Sequence, residues 1–157
     1  VSGNHGSLDY WWVSLAPNGT ILSQKCFGGS DYDLSYDLEM TADGNYIATG
    51  VSWSSDGDVS RNAGGGDFWV VEFNKTGTIL WERSFGGSDL DRGQAIKPDP
   101  SENGVYHLVG SSASNDGDVT GNHGGLDYWV VQVSTAPVIP AGITNLTNIT
   151  YQPGLIT

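Results

Sequence analysis

Two acidic loops carry the residues whose types and spacing come nearest to chemistry. Asp56, Asp58, Ser60, Asn62 and Asp67 occupy positions 1, 3, 5, 7 and 12 of a twelve-residue stretch. Asp116, Asp118, Thr120, Asn122 and Asp127 repeat that spacing. Calcium loops place oxygen donors in this way, so both stretches are candidate calcium sites, and calcium is the one candidate cofactor. The fit is imperfect: position 12 is Asp rather than Glu, and Arg61 occupies position 6 of the first copy. The competing reading is an Asp/Gly-rich connector whose side chains cap their own backbone, and it is the favoured one. Asp31 with Asp33, and Asp89 with Asp91, form a second repeated acid pair of lower specificity.

Other reactive types are sparse. Asn18, Asn74, Asn145 and Asn148 each open an Asn-x-Thr triplet. Such triplets accept N-glycans in exported proteins, and Asn and Thr also suit turns without any sugar. His5 and His123 are equivalent, but Ala63 replaces them in the middle copy, which favours loop packing over an essential ligand. His107 has no equivalent histidine. The single cysteine, Cys26, stands where the next copy has Ser84 and reads as a small side chain on a strand. No nucleophile elbow, zinc-protease helix or phosphate loop occurs. With 18 acids among 157 residues, carboxylate pairs of glycosidase type arise by chance and nothing singles one out. The chain is read as a non-enzyme.

Eighteen acids against six bases give a net charge of -12. That disfavours nucleic acid and anionic lipid, both of which need clustered Lys and Arg. No apolar run approaches the roughly 20 residues that span a bilayer, so no membrane insertion is expected. The chain opens in mid-repeat, Val1 matching Val59 and Val119, so something is expected to precede it.

These residues belong to a repeat. Asp9-Tyr10-Trp11, Asp67-Phe68-Trp69 and Asp127-Tyr128-Trp129 lie 58 and 60 residues apart. Phe27 to Asp31 returns as Phe85 to Asp89, and Asp56 to Val59 returns as Asp116 to Val119. A fixed long period means one structural unit stacked several times. The array spans 1-133: a partial unit 1-27, a full unit 31-87 and a partial unit 89-133. The full unit reads as four strands, Asp33 to Thr41, Tyr46 to Trp53, Asp67 to Phe73 and Thr78 to Phe85, with a long loop from Ser54 to Gly66. In the third strand Trp69, Val71 and Phe73 lie on one face, and Phe68 and Val70 on the other. A strand apolar on both faces must be covered on both. Ala48 and Gly50 in the second strand allow a neighbouring sheet to come close. The expected fold class is therefore all-β, with four-stranded β-propeller-type blades stacked face to face. About two and a quarter blades are present, whereas closed propellers hold roughly four to eight, so the array is expected to be open within this chain.

The run Asp116 to Val131, with weaker copies at 56-71 and 1-13, resembles the Asp-Gly-Asp-Val-Ser/Thr-Gly-Asn-His-Gly-Gly-x-Asp-Tyr-Trp-Val-Val repeat of archaeal and bacterial cell-surface proteins. The resemblance covers about 1-133. It implies a secreted or surface-displayed β-propeller-like array and says little about a ligand. Residues Ile143 to Tyr151 are similar to segments that open immunoglobulin-like modules in such proteins.

An open stack leaves apolar faces and strand edges that something must cover. The tail 134-157 breaks the repeat after Pro137 and Pro140. Its residues Ile143, Leu146, Ile149 and Tyr151 could donate a strand to a neighbouring subunit, or the tail is a linker to a further domain. The expected partners are thus copies of the chain, head to tail, or further domains of the same polypeptide. The leading expectation is an extracellular structural or adhesive surface protein, a subunit of a fibre or sheath. The alternatives are a lectin-like module binding glycans through exposed Trp12, Trp53 or Trp81, or a fragment of a larger cell-surface β-propeller protein.

Overall fold

The computed structural model describes residues 3-135. Ile143, Asn145, Leu146, Asn148, Ile149 and Tyr151, to which the sequence assigns assembly or glycan roles, lie outside the described residues. Among the described residues the chain is all-β, without a helix. Its strands are β1 (Tyr10–Leu15), β2 (Ile21–Phe27), β3 (Asp33–Met40), β4 (Tyr46–Ser52), β5 (Asp67–Phe73), β6 (Ile79–Phe85), β7 (Asp91–Pro98), β8 (Val105–Ser112) and β9 (Asp127–Ser134). They form three antiparallel sheets, β1-β2, β3-β4-β5-β6 and β7-β8-β9, none of them closed.

The sheets pack face to face, and the middle one is covered on both sides. Tyr10, Trp12 and Phe27 of the first sheet pack with Ala48, Trp69, Val71 and Phe73 of the second. The other face of the second sheet, Ile47, Phe68, Val70 and Phe85, packs with Ile96, Tyr106 and Leu108 of the third. Every residue of β5 is buried as a result. Third strand lies over third strand. Tyr10 meets Trp69 with ring centroids 4.7 Å apart, and Phe68 meets Trp129 edge-on at 5.8 Å.

Glycines set how closely the sheets approach. A Cβ on Gly110 would lie 2.8 Å from Cε2 of Phe68, besides colliding with the Arg92 carbonyl. The same position one unit earlier, Gly50, lies under the Tyr10 hydroxyl, 2.7 Å from where its Cβ would stand. An aromatic residue opening each third strand thus enters a gap over the glycine of the next sheet. The first strands also repeat a bulge, between Ser35 and Asp37 in β3 and between Gly93 and Ala95 in β7.

Candidate functional site

The acidic loops lie at the junctions between sheets. Each folds back onto the Gly-Gly-Ser-Asp linker that joins its own sheet to the one before. Oδ1 of Asp56 accepts from the Ser30 N–H at 2.7 Å, and Oδ1 of Asp116 accepts from the Ser88 N–H at the same distance. The Asp58 N–H donates to the Gly28 carbonyl at 2.9 Å, and the Asp118 N–H to the Gly86 carbonyl at 3.0 Å. Ser54 and Ser114 accept from the Asp31 and Asp89 amides, each at 3.0 Å. The linker is thereby clipped at both ends, in two units, by the same atoms. The amide hydrogen bonds hold the Asp56 and Asp116 carboxyls below the usual carboxylate range.

Asp58 and Asp118 Oδ2 accept from the Gly28 and Gly86 amides of the same linker at 3.4 and 3.3 Å, and other side chains of each loop cap its own backbone. Oδ2 of Asp67 accepts from Ala63 N–H at 2.7 Å, and Oδ2 of Asp127 from His123 N–H at 2.6 Å. Asn62 and Asn122 donate to the Ser52 and Ser112 carbonyls at 3.0 and 2.9 Å. Ser60 and Thr120 are exposed. The sequence-spaced set is therefore spread along a backbone-capping loop, and no group of three or more His, Cys, Asp or Glu converges among the described residues. This is the geometry of the connector reading.

Deeper in each junction two aspartates from successive sheets face each other. Asp91 Oδ2 accepts from the Gly87 N–H at 2.9 Å and the Ser114 hydroxyl at 2.8 Å. Asp67 Oδ1 is buried and has no hydrogen-bond partner. Both carboxylates converge on the bare side of Gly86, where an added Cβ would stand 2.5 Å from Asp91 Oδ2 and 2.7 Å from Asp67 Oδ1. Burial, with Asp91 adding like charge, pushes Asp67 up to about 6 against the weaker pull of the Ala63 amide. The earlier junction pairs Asp9, whose buried Oδ1 is unpartnered, with Asp33, which accepts from the Gly29 N–H and the Ser54 hydroxyl. Burial raises the Asp33 carboxyl as well. In the sequence Asp33 and Asp91 stand out only as members of the repeated pairs Asp31/Asp33 and Asp89/Asp91; their burial follows from the sheet packing, which no spacing rule reports.

The aromatic candidates separate. Trp12, expected on the surface, is instead buried, because it packs against Tyr46 and Phe73 of the next sheet. Trp81 is half-buried, donates from Nε1 to Glu72 Oε2 and packs near Tyr106. Trp53 lies over Gly66 and lines a shallow apolar cleft with Tyr32, Leu34 and Asp31. Asn18 and Asn74 stand at the β1-β2 and β5-β6 turns. Asn18 Oδ1 accepts from the Thr20 N–H at 3.1 Å, and Asn74 Oδ1 from the Thr76 and Thr78 amides at 2.9 and 3.0 Å. His5 and His123 each approach the aspartate four residues on, and His107 pairs with Asp99 at 2.8 Å. Cys26 is buried opposite Trp11.

The outermost sheets present the most unusual surface. Tyr10 and Phe68 are 3% and 0% exposed, whereas Tyr128, their equivalent, is 98% exposed. Val130 is 66% exposed where Val70 is fully buried. At the other end of the stack Trp11 is 51% exposed where Trp69 is fully buried. Equivalent residues thus differ in environment by their position in the stack, as an open array requires.

No protein-family model and no curated protein matches the chain. Among the described residues no helix is long and apolar enough to cross a membrane.

Proposed function

We propose that the three sheets are β-propeller-type blades and that the chain is an extracellular structural or adhesive surface protein, a subunit of a fibre or sheath. Its work is packing, with no chemical step. One observation carries this reading: the positions that bury completely inside the stack, Phe68, Val70 and Trp69, reappear at its two ends as exposed Tyr128, Val130 and Trp11. Large apolar faces of this kind mark association surfaces. The acidic exterior, net -12 over the whole chain, keeps such an assembly hydrated. Glycans at Asn18 and Asn74 would add to that effect, both being at turns on the surface side of the sheets. Electron microscopy of native material, with antibody labelling of intact cells, tests the reading. Labelled fibres or a labelled sheath on the cell exterior are expected; label confined to the cell interior would overturn it.

A second reading is favoured by the cleft of Trp53, Tyr32 and Leu34, an aromatic platform of the type on which sugar rings stack. Glycan-array binding that is lost in Trp53→Ala, with the fold intact, would establish a carbohydrate-binding module instead.

A further inference from the structure

The end faces specify their own occupant. The ladder of third strands runs β1, β5, β9, and at each step the first aromatic of one strand covers the tryptophan of the next. Tyr10 covers Trp69, and Phe68 covers Trp129. The following step would need a tryptophan on a third strand beyond β9. Trp11 of β1 is such a residue, and half of its surface is open.

We infer that a second copy of this chain stacks head to tail on the first, its Trp11, Val13 and Leu15 covering Tyr128 and Val130. The inference rests on the structural reading above and names the two faces that meet.

Three observations support a second copy over an unrelated partner. First, Trp11 already holds the pose its equivalent adopts when covered. Trp11 Nε1 donates to Gln24 Oε1 at 3.3 Å, as Trp69 Nε1 donates to Glu82 Oε2 at 2.9 Å, and Gln24 and Glu82 are equivalent positions. Little side-chain ordering remains to be done on docking. Second, Tyr128 keeps the hydroxyl of Tyr10, which donates to the Trp69 carbonyl at 3.3 Å. The Trp11 carbonyl offers the same acceptor. Third, the third-strand positions on both faces are uncharged. Tyr128, Val130 and Gln132 meet Trp11, Val13 and Leu15, so two chains of net charge -12 can join without apposing carboxylates there. The contact joins two different faces, so each copy keeps one of each free. Such a contact propagates into a filament or closes into a ring.

The same asymmetry supplies the test. Tyr128→Arg blocks one face and Trp11→Arg the other. Val130→Arg and Leu15→Arg serve as second variants, and circular dichroism checks the fold of each. Sedimentation of the full chain should show concentration-dependent association, strengthened by salt as like-charge repulsion is screened. Each variant alone should associate about 30-fold more weakly, the loss expected for one hot-spot side chain. An equimolar mixture of Tyr128→Arg and Trp11→Arg should form a heterodimer, since one intact face survives on each partner. Association of Trp11→Arg at wild-type strength would overturn the head-to-tail contact in favour of pairing between like faces. A wild-type chain that stays monomeric at millimolar concentration would also overturn it. Neither result touches the surface location, which the labelling experiment decides separately.

Discussion

Replacing Asp67 by Asn should stabilise the protein at neutral pH and do nothing at acid pH. Asp67 is buried at the junction of the second and third sheets with Oδ1 unpartnered and Asp91 opposite. Its carboxyl rises from 3.8 to about 6, chiefly by burial. A shift of that size corresponds to about 3 kcal/mol, taken as about 2 kcal/mol to allow for solvent screening at a loop junction. The sign follows from the direction. Well below pH 3.8 the group is protonated in folded and unfolded chains alike, and the folded state loses nothing. As pH rises from 3.8 to about 6 the unfolded chain ionises while the folded one resists, so stability falls across that window and stays low above it. Asn keeps the acceptor that Ala63 N–H uses and turns an N–H toward Asp91, replacing the orphaned oxygen by a donor. Urea unfolding followed by tryptophan fluorescence, at about pH 3 and about pH 7, reads the difference between wild type and Asp67→Asn. No difference is expected at the lower pH, and about 2 kcal/mol in favour of the variant at the higher. A variant less stable at neutral pH, or a difference indifferent to pH, would refute it.

Other consequences are as direct. Gly110→Ala should destabilise by several kcal/mol, because its Cβ would collide with the Arg92 carbonyl and with Phe68; Gly121→Ala, with nothing near its Cβ, is the control for a merely strained turn and should cost no more than about 1 kcal/mol. Trp12→Ala should lose about 3 to 5 kcal/mol in a denaturation experiment, whereas Trp53→Ala should lose much less, since only Trp12 fills the space between sheets. Calcium should leave the melting midpoint unchanged, because the Asp56, Asp67, Asp116 and Asp127 oxygens at the head and foot of each loop already accept backbone amides; a rise of several degrees would restore the calcium reading.

Much of the fold was legible because the repeat exposes its own logic. The alternation along Phe68 to Phe73 is apolar on both faces, and only a sheet covered twice satisfies it. Strand ends agree to within a residue or so because Asn, Asp and Gly mark each turn: Thr78 was expected to open the fourth strand, and Ile79 does. The bulges at Ser35-Asp37 and Gly93-Ala95 were not legible, since neither segment carries a residue that demands one at the bulged position. For the loops, spacing alone could not separate cation ligands from amide caps, since both need oxygens at alternate positions. What distinguishes them is the linker folded against the loop, about 26 residues earlier in the chain. Trp12 was misplaced for a related reason. On β1 it alternates with Trp11, and which of the two faces inward depends on which side of the stack the next sheet occupies.

The clip between each linker and the loop that follows it orders events during synthesis. Residues 28-31 leave the ribosome before the amides they present can be matched, and the matching carboxylate arrives with Asp56, less than one period later. Each new sheet is therefore locked onto finished material behind it, and among the described residues the longest hydrogen-bonded reach is about one repeat, as between Tyr10 and Trp69. Among the described residues, growth of this kind can proceed from the amino end one repeat at a time.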